Sequence, residues 1–89
     1  MDIAFDPFKD QANIAKHGLS LALAPELDWS AALVWVDERQ NYGELRMIAL
    51  VPKSPKLFYV AFVDRGDVRR IISLRRANQR EANHYVHNT

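Results

Sequence analysis

The sequence contains no cysteine, so neither a disulfide nor a thiolate-bound metal can support its fold. No apolar run approaches the roughly 20 residues needed to span a bilayer. The amino terminus also lacks a basic segment followed by an apolar one. Internal repeats, linkers and low-complexity tracts are missing, no histidine and carboxylate spacing resembles a zinc or magnesium motif, and no Ser-His-Asp constellation can be read. The expectation is a soluble, cytoplasmic protein with no membrane association, metal or other cofactor.

What is present is one small domain spanning residues 1–89, long enough for a single core. Hydrophobic residues make up 48% and charged residues 26%, ordinary globular usage that argues against disorder. A net charge of +1 conceals an asymmetry. Residues 1–45 carry three Lys or Arg against eight Asp or Glu, a balance of −5, whereas residues 46–89 carry nine against three, a balance of +6. Such sorting implies either a basic face opposite an acidic one or two halves that pair across the fold.

Ile3, Ala4 and Phe5 suit a short first strand. Asp6 and Pro7 then read as N-cap and first position of a helix ending at His17 before Gly18. On that helix Phe8, Ala12 and Ala15 share a spacing that faces a core, while Lys9, Asn13 and Lys16 share a neighbouring polar side. Ser20 can cap a second, short helix over residues 21–24, which Pro25 kinks or ends. Residues 29–36 are rich in aromatic and β-branched types and read as a strand, followed by a polar turn over 37–43. Further strands are expected over 44–51 and 57–64, separated by a turn holding Pro52 and Pro55.

A tight turn at 64–67 leads to the strand rich in arginine, and short connections make the last four strands an antiparallel meander. Asn78, with Glu81 three residues on, resembles a capping box that opens a final helix carrying Ala82, Tyr85 and Val86 on one face. The fold class is therefore α+β: strand, two helices, four-stranded antiparallel meander, helix.

Six of the eight arginines fall within residues 65–80, against one carboxylate, Asp67, so this stretch is suited to holding an anion in fixed geometry. Simple alternation places Arg69, Ser73 and Arg75 on one face and Arg70, Ile72, Leu74 and Arg76 on the other, with Arg65 reaching in from the preceding strand end. His17 is the one histidine inside an expected core element. At a helix C-terminus the dipole favours its charged form, which suits an acid or a phosphate clamp. His84 and His87 lie near the chain end and are incidental.

Lys9, Asn13 and Lys16-His17-Gly18, then Tyr42-Gly43-Glu44, Arg46 and Arg65, then Arg70-Ile71-Ile72-Ser73-Leu74-Arg75-Arg76-Ala77-Asn78, Arg80-Glu81 and Tyr85 together resemble the BrnT family. These are small toxins of a bacterial type II toxin-antitoxin system, and the similarity runs from Phe5 to Tyr85. The resemblance implies a RelE-like fold, ribonuclease activity that halts growth, and a cognate antitoxin with a ribbon-helix-helix region. It also implies that operator DNA is bound only indirectly, through that antitoxin.

Metal-free RNA cleavage needs a base, an acid and fixed cations at the developing phosphorane. With the resemblance in view, Arg65, Arg75 and Arg76 are expected to clamp the scissile phosphate, with His17 and Lys9 supplying proton transfer or electrostatics. Lys16, Arg46, Arg69, Arg80 and Tyr85 are the expected RNA contacts. Charge alone also allows a non-catalytic nucleic-acid-binding module, or a protein-interaction surface for an acidic partner. On either reading the arginines would form a solvated face or pair with Asp37, Glu38 and Glu44, and Tyr85 would pack as core.

Overall fold

A computed structural model describes residues 1–39, 41 and 43–89. The elements are β1 (Asp2–Phe5), α1 (Pro7–His17), two 3₁₀ turns (Leu21–Glu26 and Trp29–Ala31), β2 (Leu33–Val36), β3 (Met47–Lys53), β4 (Lys56–Arg65), β5 (Val68–Arg76) and α2 (Gln79–His87). The α+β class and the meander of β2 to β5 are as the sequence implies. β1 also joins this sheet, giving the order β1-β5-β4-β3-β2. It runs parallel to β5, with Ile3 opposite Arg69 and Phe5 opposite Ile71.

Local chemistry accounts for most boundaries. Asp6 accepts a hydrogen bond from the Phe8 N–H at 2.8 Å, and Gly18, at φ 71°, closes α1 by donating its N–H to the Ile14 carbonyl. The expected second helix is a 3₁₀ turn capped by Ser20, because Pro25 inside it denies the backbone a regular α-helical ladder. The strand expected from residue 29 begins at Leu33 instead. Trp29 donates its indole N–H to the Ala24 carbonyl at 2.9 Å and sets its ring edge-on to Phe62 at 5.5 Å, which curls the chain back over the core. The strand expected from residue 44 begins at Met47; the turn expected over 37–43 includes Gln40 and Tyr42, which lie outside the described residues.

One face of the sheet carries the core. Ala49, Val51, Phe58, Val60, Phe62, Ile71 and Leu74 pack against Leu21, Ala24 and Leu27 of the first 3₁₀ turn. Ile3 and Phe5 of β1 seal the same cluster. The opposite face is crossed by α2, whose capping box is complete: Asn78 accepts from the Glu81 N–H and Glu81 accepts from the Asn78 N–H, at 2.8 and 2.9 Å. Tyr85 donates its hydroxyl to the Ala31 carbonyl at 2.6 Å, and His84 meets the Trp35 ring at 5.6 Å. Asn78→Ala is expected to cost about 1 kcal/mol, measurable by urea denaturation.

Two features overturn the alternation and periodicity expected from sequence. β5 carries a bulge: Ser73 pairs with Ala61 but Ile71 pairs with Phe62, so Ile72 is an extra residue. Arg75, Ser73 and Arg70 therefore share one face, while Arg69, Ile71, Leu74 and Arg76 share the other. On α1 the polarity is reversed. Phe8 is 80% exposed and Ile14 46%, whereas Asn13 is buried, at 5%.

Asn13 is buried because its amide does the work of a strand. Its Nδ2 donates to the Leu74 carbonyl at 2.8 Å, and its Oδ1 accepts from the Leu74 N–H at 3.0 Å. β1 stops at Ile71, so Asn13 closes the β5 edge where β1 no longer can. A further bond from Nδ2 to the Leu19 carbonyl, at 2.8 Å, pins the turn that follows His17.

Candidate active site

α1, held at the β5 edge by Asn13, overhangs the sheet face opposite the core. The space between them is a cleft of about 410 Å³. Lys9, Lys16 and His17 enter it from α1; Ser73 and Arg75 come from β5, Tyr59 from β4 and Arg39 from the segment after β2. Among the described residues no carboxylate lines it, so its local charge is strongly positive.

Arg75 is the most constrained of these cations. Its Nη1 and Nη2 fork onto the two Glu81 oxygens at 2.8 Å each, and Nη1 also donates to the Arg76 carbonyl at 3.1 Å. The guanidinium lies 4.0 Å over the Tyr59 ring. The fork to Glu81 raises the Arg75 pKa further above its usual value. Burial works against the Glu81 carboxylate, but Arg75 and the Asn78 backbone N–H outweigh it and hold the carboxyl below its ordinary range. Of the five guanidinium donors, these contacts engage three, leaving Nε–H and one Nη2–H for a ligand.

His17 departs from the expectation that its helix end would favour the imidazolium. Partial burial, then the Lys16 and Arg75 charges, lower its pKa from 6.5. These effects outweigh the helix dipole, so the neutral ring is favoured near pH 7 and suits a proton acceptor. Lys16→Gln removes one of the opposing charges and therefore raises this pKa. If His17 acts as the base, the acidic limb of kcat/KM for RNA cleavage lies below pH 6.5 in the parent and moves to higher pH in Lys16→Gln.

The remaining expected site residues divide by location. Arg76 lies on the opposite face from Arg75, 5.8 Å from the Phe58 ring centre, in a second cleft that also has His17 on its wall. Arg65 is not brought to Arg75. It ends β4, six residues beyond Tyr59, or about 20 Å along an extended strand. There it forks onto Glu44 at 2.9 and 3.1 Å, with Arg46 and Arg70 near enough to help lower the Glu44 pKa after Arg65 itself. Arg69 is a packing residue: it forks onto Asp64 and lies 4.1 Å over Phe62 and 4.8 Å over Trp29. Arg80 is exposed in the first turn of α2, and Tyr85 is fixed by its bond to Ala31.

Sequence analysis missed Tyr59 and Arg39 as cleft residues. The Tyr59 signal was available only through register, since it stands directly opposite Arg75. Arg39 forks onto the buried Asp37 at 2.8 Å, a contact within a turn that gives no periodic signal.

Among the described residues no helix is long and apolar enough to cross a membrane. No curated protein matches the chain. Residues 5–81 match the family described as ribonuclease toxin, BrnT, of type II toxin-antitoxin system, a span that includes β1, every α1 and β5 cleft residue, Tyr59 and Glu81. The chain thus belongs to the BrnT family of ribonuclease toxins, whose type II system pairs each toxin with an antitoxin.

Proposed function

We propose that the chain is a metal-independent endoribonuclease whose active site is the cleft between α1 and β5. The observation that carries this is the convergence of His17, Lys9, Lys16 and Arg75 on one concavity with no lining carboxylate among the described residues. RNA brings the two things such a site lacks, a negatively charged phosphate and a nucleophile beside it.

In this mechanism neutral His17 takes the proton of the 2′-hydroxyl. The 2′ oxygen attacks phosphorus, and the bond from phosphorus to the 5′ oxygen breaks. Lys9 gives its proton to the departing 5′ oxygen, leaving a 2′,3′-cyclic phosphate and a 5′-hydroxyl. Arg75 meets the charge that grows on the phosphorane oxygens, and Lys16 holds the neighbouring backbone. Arg76 serves the substrate from the adjoining cleft; Arg65 and Arg46 lie too far along the sheet to touch the same phosphate.

Neutralisation is assigned to a cognate antitoxin with a ribbon-helix-helix region, through which alone the toxin reaches operator DNA. The test is cleavage of a defined RNA by the purified chain in excess EDTA. Products ending in a 2′,3′-cyclic phosphate are the expected result, and activity that disappears on chelation and returns with a divalent ion would overturn metal independence. Co-expression with the neighbouring reading frame, scored for restored growth and co-purification, tests the partner.

A further inference from the structure

His17 stands on the wall between two clefts. The second, about 320 Å³, lies on the other side of the imidazole from Arg75 and is chemically different from the first. Leu19, Leu23 and Phe58 give it an apolar interior, and Lys53, Lys56 and Arg76 supply positive charge. Its size falls within the roughly 300–1,000 Å³ range of small-ligand pockets. Among the described residues no ion pair engages Lys56 or Arg76; Lys53 meets Glu26 only at 3.8 Å with both side chains exposed, a contact of little strength.

We propose that this cleft is a nucleotide subsite that holds the RNA residue next to the scissile bond. The base rests against Leu19, Leu23 and the edge of Phe58, with the Arg76 guanidinium plane available to stack on it, and the next phosphate along the strand is held by Lys53 and Lys56. Single-stranded nucleic acid is bound by this pairing of an apolar or aromatic platform with cations that follow the backbone. An acidic peptide would match the charge but leaves unexplained why two basic clefts meet at one imidazole. A polyanionic strand passing over His17 would occupy both.

The inference rests on the ribonuclease assignment, and the experiment separates the two. Lys53→Ala/Lys56→Ala is assayed with a dinucleoside monophosphate, which has no phosphate beyond the scissile one, and with a tetranucleotide. The expected result is an approximately tenfold rise in KM for the tetranucleotide, with kcat unchanged and the dinucleoside monophosphate unaffected. The salt slope of tetranucleotide binding, measured with a 2′-deoxy scissile residue, falls by about 1.4 for two lost phosphate contacts. Leu23→Glu, which repels the base itself, raises KM for both substrates.

Parent-like KM and salt slope in the double lysine variant would overturn the subsite while leaving the ribonuclease intact. The same holds if the only loss is in affinity for a hexaglutamate peptide, which would make this cleft a protein-docking site. A parent protein that cuts neither substrate overturns both assignments.

Discussion

Replacing Arg75 with alanine is expected to lower kcat for RNA cleavage by about 10²–10³-fold, the loss typical of removing one aimed donor from developing charge. The geometry gives this residue more leverage than the other cations of the cleft. Lys9 and Lys16 are exposed on α1, whereas Arg75 is fixed by two bonds to Glu81, one to the Arg76 carbonyl and the Tyr59 ring beneath it. A guanidinium held in advance need not be ordered during the reaction. Arg75→Lys retains charge but loses the planar fork, so it should recover only part of the rate.

Single-turnover cleavage, with growth arrest on expression as a second readout, measures the effect. The melting temperature should change little, because the bond partners of Arg75 are at the surface and Glu81 retains its cap to Asn78. An Arg75→Ala protein that folds and cuts at the parent rate would remove the phosphate clamp from the mechanism.

Asn13→Ala is expected to destabilise the protein by about 3 kcal/mol, seen as a fall of roughly 15 °C in Tm. The substitution deletes three hydrogen bonds at once and leaves the Leu74 N–H and carbonyl without a partner at a closed edge. It also frees the turn after His17, so cleavage at low temperature should decline before the protein unfolds. Phe8→Ala is the control. Although Phe8 is the largest apolar side chain of α1, its 80% exposure predicts a change within about 0.5 kcal/mol. If Phe8→Ala proved the more damaging of the two, the reversed polarity of α1 would be incorrect.

That reversal marks where sequence legibility ends. Helix caps are local chemistry, so Asp6, Gly18, Asn78 and Glu81 could be placed from neighbours in the chain. The antiparallel meander likewise follows from short connections. Asn13 could not be assigned, because its partners are the backbone atoms of a strand 61 residues away, and nothing in the periodicity of α1 signals them. The bulge at Ile72 was equally hidden, since an alternating pattern assumes an unbroken ladder and one extra residue moved Arg69 to the core face and left Arg75 on the cleft face.

For the site, residue type was informative and residue location was not. His17, Lys9, Lys16 and Arg75 meet as chemistry and family motif suggested. Arg65 shares the arginine-rich stretch but stands at the other end of the sheet, a separation set by strand length rather than by sequence distance from Arg75.

The parallel docking of β1 on β5 has a consequence for the chain as it is made. The amino-terminal strand and the helix behind it have no edge to join until β5 exists, and β5 is completed only at Arg76. A nascent chain can fold its hairpins as they emerge, yet His17 and Arg75 cannot face each other until all but the last 13 residues have been translated. Truncated products released before that point carry the histidine without its guanidinium partner. Synthesis therefore imposes its own delay on assembly of the cleft, and an incompletely made chain is inert by construction.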